Sequence, residues 1–393
     1  MFDVKQEAMA MQAYITEERH YLHAHPELGT KEVNTTRHIA AELQKMGIEV
    51  ITFKDITGAI GVLKGAQPGK TVVLRADIDA LPIQENKHGQ SYISQNPGVM
   101  HACGHDCHTA MLLGAAKILS AHREEIHGTI KFLFQMAEEI GTESRHYVEN
   151  GSLDDADAIY GMHIWSLMDS GTFNLEDGER MACSDRITIK VKGKACHGSA
   201  PQDGKDAIVA ASAIVMGLQT IVSRTNDPQN SLVVTVGAMN GGQQTNVLAE
   251  EVELVGTVRT FNKEFRKQVP KLIEQKAENI AKAYGCEVEC IYFFGPAPLI
   301  NDHKELNNYA RAAVTQIMGD KALIHLDKQM GAEDFSVYMD KVPGVFGFLG
   351  CGNKDKGICC VHHHPDFEVD EDVFPYGTGI YVQFALNFLG SKI

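Results

Sequence analysis

Apolar residues along the chain fall into two rhythms. "TVVLRAD" (71–77), "TIKFLFQ" (129–135) and "ADAIYGMHI" (156–164) are short runs rich in β-branched and aromatic residues. Between the first two lies "TAMLLGAAKILSAH", whose apolar positions suit a buried helix. Strands separated by helical segments predict a doubly wound α/β sheet. The middle of the chain differs. "DRITIKVKG" alternates as a half-exposed strand and "DAIVAASAIVMGLQTIVSR" is a long helix. "SLVVTVGAM" and "EVELVGTVRTF" are strands, Lys263 to Tyr284 is helical, and "CEVECIYF" is a strand. This β-α-β-β-α-β order is that of a ferredoxin-like α+β unit. It is expected as an insertion over 184–296, with hinges near Cys183 and Ala297. The first domain then comprises 1–183 and 297–393. Late segments return to it: the helix "HKELNNYARAAVTQIM", "GAEDFS", the strand "GVFGFLG", the "HHHPDFEVDE" loop and a closing helix from about Asp372.

In doubly wound sheets, ligands bind beyond the carboxyl ends of the strands. Asp77 and Asp79 follow the first strand, Glu138 and Glu139 follow the second, and His163 ends the third. Three strands therefore deliver acidic or imidazole groups to one edge of one sheet. The stretch "MHACGHDCHTAM" (100–111) adds two cysteines and three histidines at the expected start of a helix. Cys103 and His105 flank Gly104, which allows a tight backbone path between them. A thiolate and an imidazole are good ligands for zinc-like ions, and the helix amino end is expected to help keep the sulfur deprotonated.

Adjacent glutamates at a strand end can divide two jobs. One coordinates a metal; its neighbour serves the activated water as general base and then acid. The three histidines of "HHHP" (362–365) cannot all face one site, so one is expected as a ligand. Cys107, His101 and His108 read as supporting residues. A second reading makes Cys103 a nucleophile with a histidine base, which leaves the Glu pair, His163 and the late histidines without a role. A third is a catalytically inactive peptide-binding dimer on the same fold.

Composition narrows the partners. Among 393 residues, 51 acidic side chains outnumber 36 basic ones, for a formal charge of -15. That balance argues against nucleic acid or an anionic membrane as partner. The first residues are charged and amphipathic, so no signal peptide is expected, and no segment reads as a membrane span. Nine cysteines, with Cys359 and Cys360 adjacent, suit a reduced, cytoplasmic chain. GxGxxG, Walker A, HExxH and GxSxG motifs do not occur, which disfavours nucleotide-dependent, zincin and serine-hydrolase chemistry.

Nine segments in order carry a family resemblance: "LRADIDALPI", "HACGHDCHTAMLLGAA", "QMAEE", "GMHIW", "KGKACHGSAP", "GGQQTNVLAE", "GTVRTF", "GAEDFSVYM" and "HHHPDFEVDE". Together they resemble the amidohydrolase branch of the dinuclear metallopeptidase family, which includes aminoacylase, hippurate hydrolase, glutamate carboxypeptidase and plant auxin-conjugate hydrolases. The resemblance implies a homodimer whose inserted domain serves dimerisation and as a lid. It implies hydrolysis of the amide of an N-acyl amino acid or dipeptide by two divalent metal ions per subunit, zinc or manganese first, cobalt or nickel next. Cys103, His105, Glu139 and His163 fall on metal-ligand positions. The family's H-x-P pattern selects His363 as the last ligand, with His364 as the alternative. Glu138 falls on the general base, and His197 on a histidine that reaches the neighbouring active site and polarises the scissile carbonyl. Asn246 and Arg259 match substrate-holding residues, Arg259 through the carboxylate. Asp79 is expected to orient a ligand from behind.

Overall fold

The computed structural model describes residues 2–86 and 90–390. Strands β1 (Glu49–Thr52), β2 (Ala59–Lys64), β3 (Gln67–Asp77), β4 (His127–Gln135), β5 (Ala158–Asp169) and β6 (Phe173–Asn174) come first. Then follow β7 (Asp185–Lys192), β8 (Leu232–Gly241), β9 (Glu251–Thr260) and β10 (Glu287–Phe293), and much later β11 (Gly344–Gly352). The helices that matter below are α1 (Gln12–Ala24), α2 (Val33–Lys45), α3 (His105–Ala121), α4 (Ala207–Thr220), α5 (Lys263–Ala283), α6 (Lys304–Met318) and α7 (Phe374–Leu389).

The first sheet has the order β1-β2-β4-β3-β5-β11-β6. Its centre, β4 to β11, is parallel, and β1, β2 and β6 join antiparallel at the edges. Parallel strands are covered on both faces and therefore read as continuous apolar runs. β11 is buried along its whole length, and α3 and α7 pack into the same core. The edge strands carry weak sequence signals: β1 is mostly exposed and β6 has two residues.

His163 does not end its strand, as the sequence pattern suggested. β5 runs on to Asp169 because β11 continues beside it, with Phe348 opposite His163 and Gly352 opposite Asp169 past a bulge. On the other side, pairing with β3 stops where Arg75 faces Gly161. His163 thus lies two residues past the last β3–β5 pair, level with Asp77 at the end of β3.

Residues divide into two compact units, one of Met1–Gly178, Asn301–Asp327 and Val337–Ile393, the other of Glu179–Ile300 and Lys328–Ser336. The second unit contains an antiparallel sheet of order β10-β7-β9-β8. Its core includes residues from α4 and α5. This is the ferredoxin-like arrangement. Lys328–Ser336, which the sequence reading assigned to the first domain, belongs here because its backbone pairs with residues 180–182: Gln329 N–H donates to Arg180, and the Ala182 N–H is shared by the carbonyls of Gln329 and Gly331.

Residues 207–225, α4 and the turn after it, are long and apolar enough to cross a membrane by length and composition, which the sequence reading did not single out. Ala207, Ala210, Ala211, Ile214 and Leu218 enter the second unit's core. The other face leaves Ile208, Val209 and Met216 exposed, Met216 by 71%.

Candidate metal centre

Two carboxylates at the end of β3 organise everything around them. Asp77 accepts from Arg75 at 2.8 Å and lies 2.6 Å from His108 Nδ1. The other ring nitrogen of His108 accepts the Ile164 N–H at 2.9 Å. Both His108 nitrogens are thus engaged, which suits a supporting role, although its donor atom also lies within 4.8 Å of those of Asp77 and His105. Burial would raise the Asp77 carboxyl, but His105, His108 and Arg75 hold it well below its usual range.

Asp79 collects three donors. Its Oδ1 accepts the His105 ring at Nδ1 (3.1 Å) and the Glu138 N–H (3.0 Å), and its Oδ2 accepts the Glu139 N–H (3.1 Å). One side chain thus aligns a histidine from α3 with the acidic turn after β4. That turn begins at Ala137, in left-handed backbone at φ 54, and continues as a short 3-10 helix.

Gly104 caps α3 at φ 90. A Cβ there would meet Ile164 Cδ1 at 2.3 Å, so both the turn and the close approach of β5 require glycine. This brings Cys103 Sγ within 3.4 Å of His163 Nε2. His163 Nδ1 bonds the Ile164 carbonyl, which leaves Nε2 as the lone-pair nitrogen. Burial and the neighbouring His108 and His362 hold His163 well below its usual range, and so uncharged.

From the last segment, His363 sits at φ 66, its N–H bonded to the Ala102 carbonyl. Its Nε2 lies 3.3 Å from Glu139 Oε1. His362 instead turns to Ser166 and the Ile164 carbonyl, and burial pushes it down to about 3. His364 Nδ1 accepts the Asp366 N–H.

Cys103–His105–His163, Cys103–Glu139–His363 and His105–Glu138–Glu139 form overlapping groups, with donor atoms within 4.8 Å of one another in each. Among the described residues His105 Nε2 is buried without a hydrogen-bond partner, and Glu139 Oε1 is 4.0 Å away. Burial opposes charge on His105, but Asp77, Cys103 and Asp79 raise it well above its usual range. A buried N–H with no acceptor is costly; a cation at that point would replace the proton. The donor set fits a metal ion.

Burial and the Glu139 charge raise the Cys103 thiol well above its usual range. The sequence reading expected the helix amino end to keep this sulfur deprotonated. It does not suffice, because burial outweighs it; a bound cation would supply what is missing.

The remaining sequence-predicted residues lie in the second unit. His197 is exposed, its Nδ1 accepting from Ser199, and the next residue's N–H bonds the Asn246 carbonyl. Arg259, on β9, is half-buried and donates to Thr257 Oγ1 at 2.6 Å. Among the described residues it has no ion pair.

Sequence reasoning named Asp77 without giving it a partner. It passed over Glu32, whose segment "HPELGTKEVNTT" (25–36) offers a Pro/Gly break and no chemical signature.

A cysteine, histidines and a glutamate at one sheet edge, beside a second carboxylate, define the class of metal-dependent hydrolases. The chain belongs to peptidase family M20/M25/M40, which it matches over residues 73–387. It is 38% identical over 372 residues to an N-acetylcysteine deacetylase of Bacillus subtilis, covering 94% of this chain and 96% of that one. It is also 38% identical to IAA-amino acid hydrolase ILR1-like 4 of Arabidopsis thaliana, covering 94% and 84% of the two chains. Among solved structures, a dinuclear metal binding peptidase of the M20 family from Bacillus subtilis superposes with a TM-score of 0.85 at 35% identity, covering 98% of this chain and 99% of that one.

Proposed function

We propose that this chain hydrolyses the amide bond of N-acyl amino acids at a dinuclear centre held by Cys103, His105, Glu139, His163 and His363. The observation that carries the reading is the orphaned, buried His105 Nε2 amid four other donors. Divalent ions in such a set lower the pKa of bound water towards about 7 and polarise a carbonyl. Zinc and manganese are the first candidates, since a thiolate favours zinc while imidazole and carboxylate suit both. Glu138 takes the proton of the attacking water and returns it to the leaving amine nitrogen. Asp79 holds the Glu138 backbone and the His105 ring in register. His197 donates to the developing oxyanion, Asn246 positions the substrate, and Arg259 binds its carboxylate. A half-buried guanidinium without a counter-ion supports that last role. The cysteine-hydrolase reading is weaker, because an activated nucleophile needs a lowered thiol pKa and Cys103 has a raised one.

The test is a panel of N-acetyl, N-benzoyl and longer N-acyl amino acids and dipeptides, assayed with zinc, manganese, cobalt and nickel and after chelation. Hydrolysis that chelation removes and metal restores is expected. Chelation-resistant activity in protein free of metal would instead favour Cys103 as nucleophile, and tight binding without turnover would favour the inactive peptide-binding dimer.

The same reading pairs two copies through the second unit. The apolar stripe of Ile208, Val209 and Met216 and the outer edge of β8, with Val233 and Met239 exposed, support it. Sedimentation equilibrium should return about twice the 43.1 kDa of the chain; a single-chain mass at micromolar concentration would remove the dimer. Nine free cysteines support a cytoplasmic location.

A further inference from the structure

We propose that Glu32 is a positioning residue: its buried carboxyl holds Ala137 in left-handed backbone and so aims Glu138 and Glu139 into the metal centre. The inference rests on the roles proposed above for those two glutamates.

Glu32 stands at the N-cap of α2, where an acidic side chain would ordinarily bond the free N–H groups of the first turn. It makes no such bond. Glu27 does that work, accepting the N–H groups of Asn34 and Thr35 and the Thr35 hydroxyl. The Glu32 side chain turns inward and is fully buried. One oxygen accepts the Ala137 N–H at 2.8 Å and the other the Thr57 hydroxyl at 2.6 Å. Among the described residues it has no cationic partner. A buried carboxyl without one is unfavourable for folding, which makes a purely packing role a poor explanation.

Its target is a strained point. Ala137 is one of three non-glycine residues with positive φ among those described, and the left-handed region disfavours any residue with a Cβ. The facing segment comes close to it: a Cβ at Gly29 would meet Ala137 Cβ at 3.1 Å. Three consecutive N–H groups are then each taken by a carboxylate, Ala137 by Glu32 and Glu138 and Glu139 by Asp79. Asp79 fixes the turn from the site side; Glu32 fixes where it begins. Behind the turn, a cavity of about 680 Å³ is lined by Thr30, Thr36, Phe53, Ile56, Thr57 and Met136. The pocket is open to solvent on that side; Met136 is nonetheless buried, and hydrogen bonds restrain the chain here as well. The Tyr147 hydroxyl adds one by accepting the Met136 N–H.

Burial, with Asp79 nearby, pushes the Glu32 carboxyl up to about 7. The bond to Ala137 survives either protonation state. When the second oxygen carries a proton it donates to Thr57, whose hydroxyl can turn to Met136 Sδ at 3.4 Å. Glutamine keeps both bonds of that protonated pattern, its carbonyl oxygen accepting from Ala137 and its amide nitrogen donating to Thr57; alanine removes them.

The test compares wild type, Glu32→Gln and Glu32→Ala for kcat, KM, melting temperature and the rate at which a chelator strips zinc. For Glu32→Ala, kcat is expected to fall about 100-fold, the scale of a roughly 1 Å misplacement, with KM within about twofold. Zinc should also leave several-fold faster, because Glu139 is displaced with Glu138. Glu32→Gln should restore both to within about threefold of wild type. A lowered melting temperature with unchanged kcat and zinc retention would overturn the proposal, as would Glu32→Gln as impaired as Glu32→Ala. If Glu32→Ala does not fold, Glu32→Asp, one methylene too short to reach both partners, is expected to show the same losses. If wild type hydrolyses nothing in the panel, zinc retention still decides the role of Glu32 separately from the proposed activity.

Discussion

Glu138→Gln is expected to lower kcat by about 10³- to 10⁴-fold, the range a positioned general base supplies, while bound metal stays at the wild-type level. The substitution keeps shape and volume and removes only the capacity to take a proton. Its backbone is held at the site: Asp79 accepts the Glu138 N–H and also the His105 ring. The neighbouring Glu139, not Glu138, is the residue 3.3 Å from His363. The two glutamates should therefore separate cleanly by measurement. Emission spectroscopy on the purified variant reads the metal, and steady-state kinetics read the turnover. Activity within tenfold of wild type would take the base role from Glu138; loss of metal would make it a ligand instead.

The second large effect is on stability. Arg19→Ala should destabilise the first unit by about 3–5 kcal/mol, the usual result of stripping one partner from a buried ionic network, and lower its melting temperature by roughly 5–10 °C. The Arg19 side chain is 1% exposed, bonding Asp106 at 3.1 Å, Glu368 at 3.0 Å and Glu371 at 2.9 Å. Its guanidinium also lies 4.7 Å from the centre of the Tyr92 ring. His23 completes the cluster between Asp106 and Glu85, at 2.7 and 3.1 Å. These contacts tie α1 to the start of α3 and to the segment after His363, so the network braces the two loops that carry the proposed ligands.

The loss should depend on pH. Burial alone would raise the Asp106 carboxyl, but Arg19 and His23 hold it well below its usual range. A carboxylate depressed in the folded state contributes stability that is complete above the unfolded value, about 3.9, and that disappears as pH falls through the folded value. In the variant, Asp106 loses its main counter-charge, titrates higher, and is relieved by protonation as the pH drops. Between pH 7 and pH 4 the wild-type contribution stays complete, so it is the variant's relief by protonation that narrows the gap. Calorimetry should find the largest difference from wild type near pH 7 and a smaller one towards pH 4; an equal difference at both would contradict this account.

Local patterning carried much of the fold. The apolar runs at 71–77 and 129–135 mark strands because parallel strands are buried on both faces, and the alternation at 185–192 marks a strand with one face exposed. The acidic residues after β3 and β4 were legible as a candidate site because strand ends in such sheets collect ligands. "HHHP" was not resolvable in the same way, since three adjacent histidines have identical local signals. Backbone conformation separates them: a left-handed His363 faces Glu139, while His362 is buried against Ile164 and Ser166.

The sequence by itself determined the two-rhythm architecture, the sheet edge that bears the chemistry, and the residue types gathered there. Those depend on periodicity over a few residues, and the chain states that periodicity directly. Only the tertiary structure decided what holds these residues in place. Glu32 meets Ala137 across 105 positions, Arg19 meets Glu371 across 352, and Asp79 joins α3 to the acidic turn across 26 and 60. Such contacts leave no local pattern, because burial and hydrogen-bond satisfaction select them after distant segments are brought together.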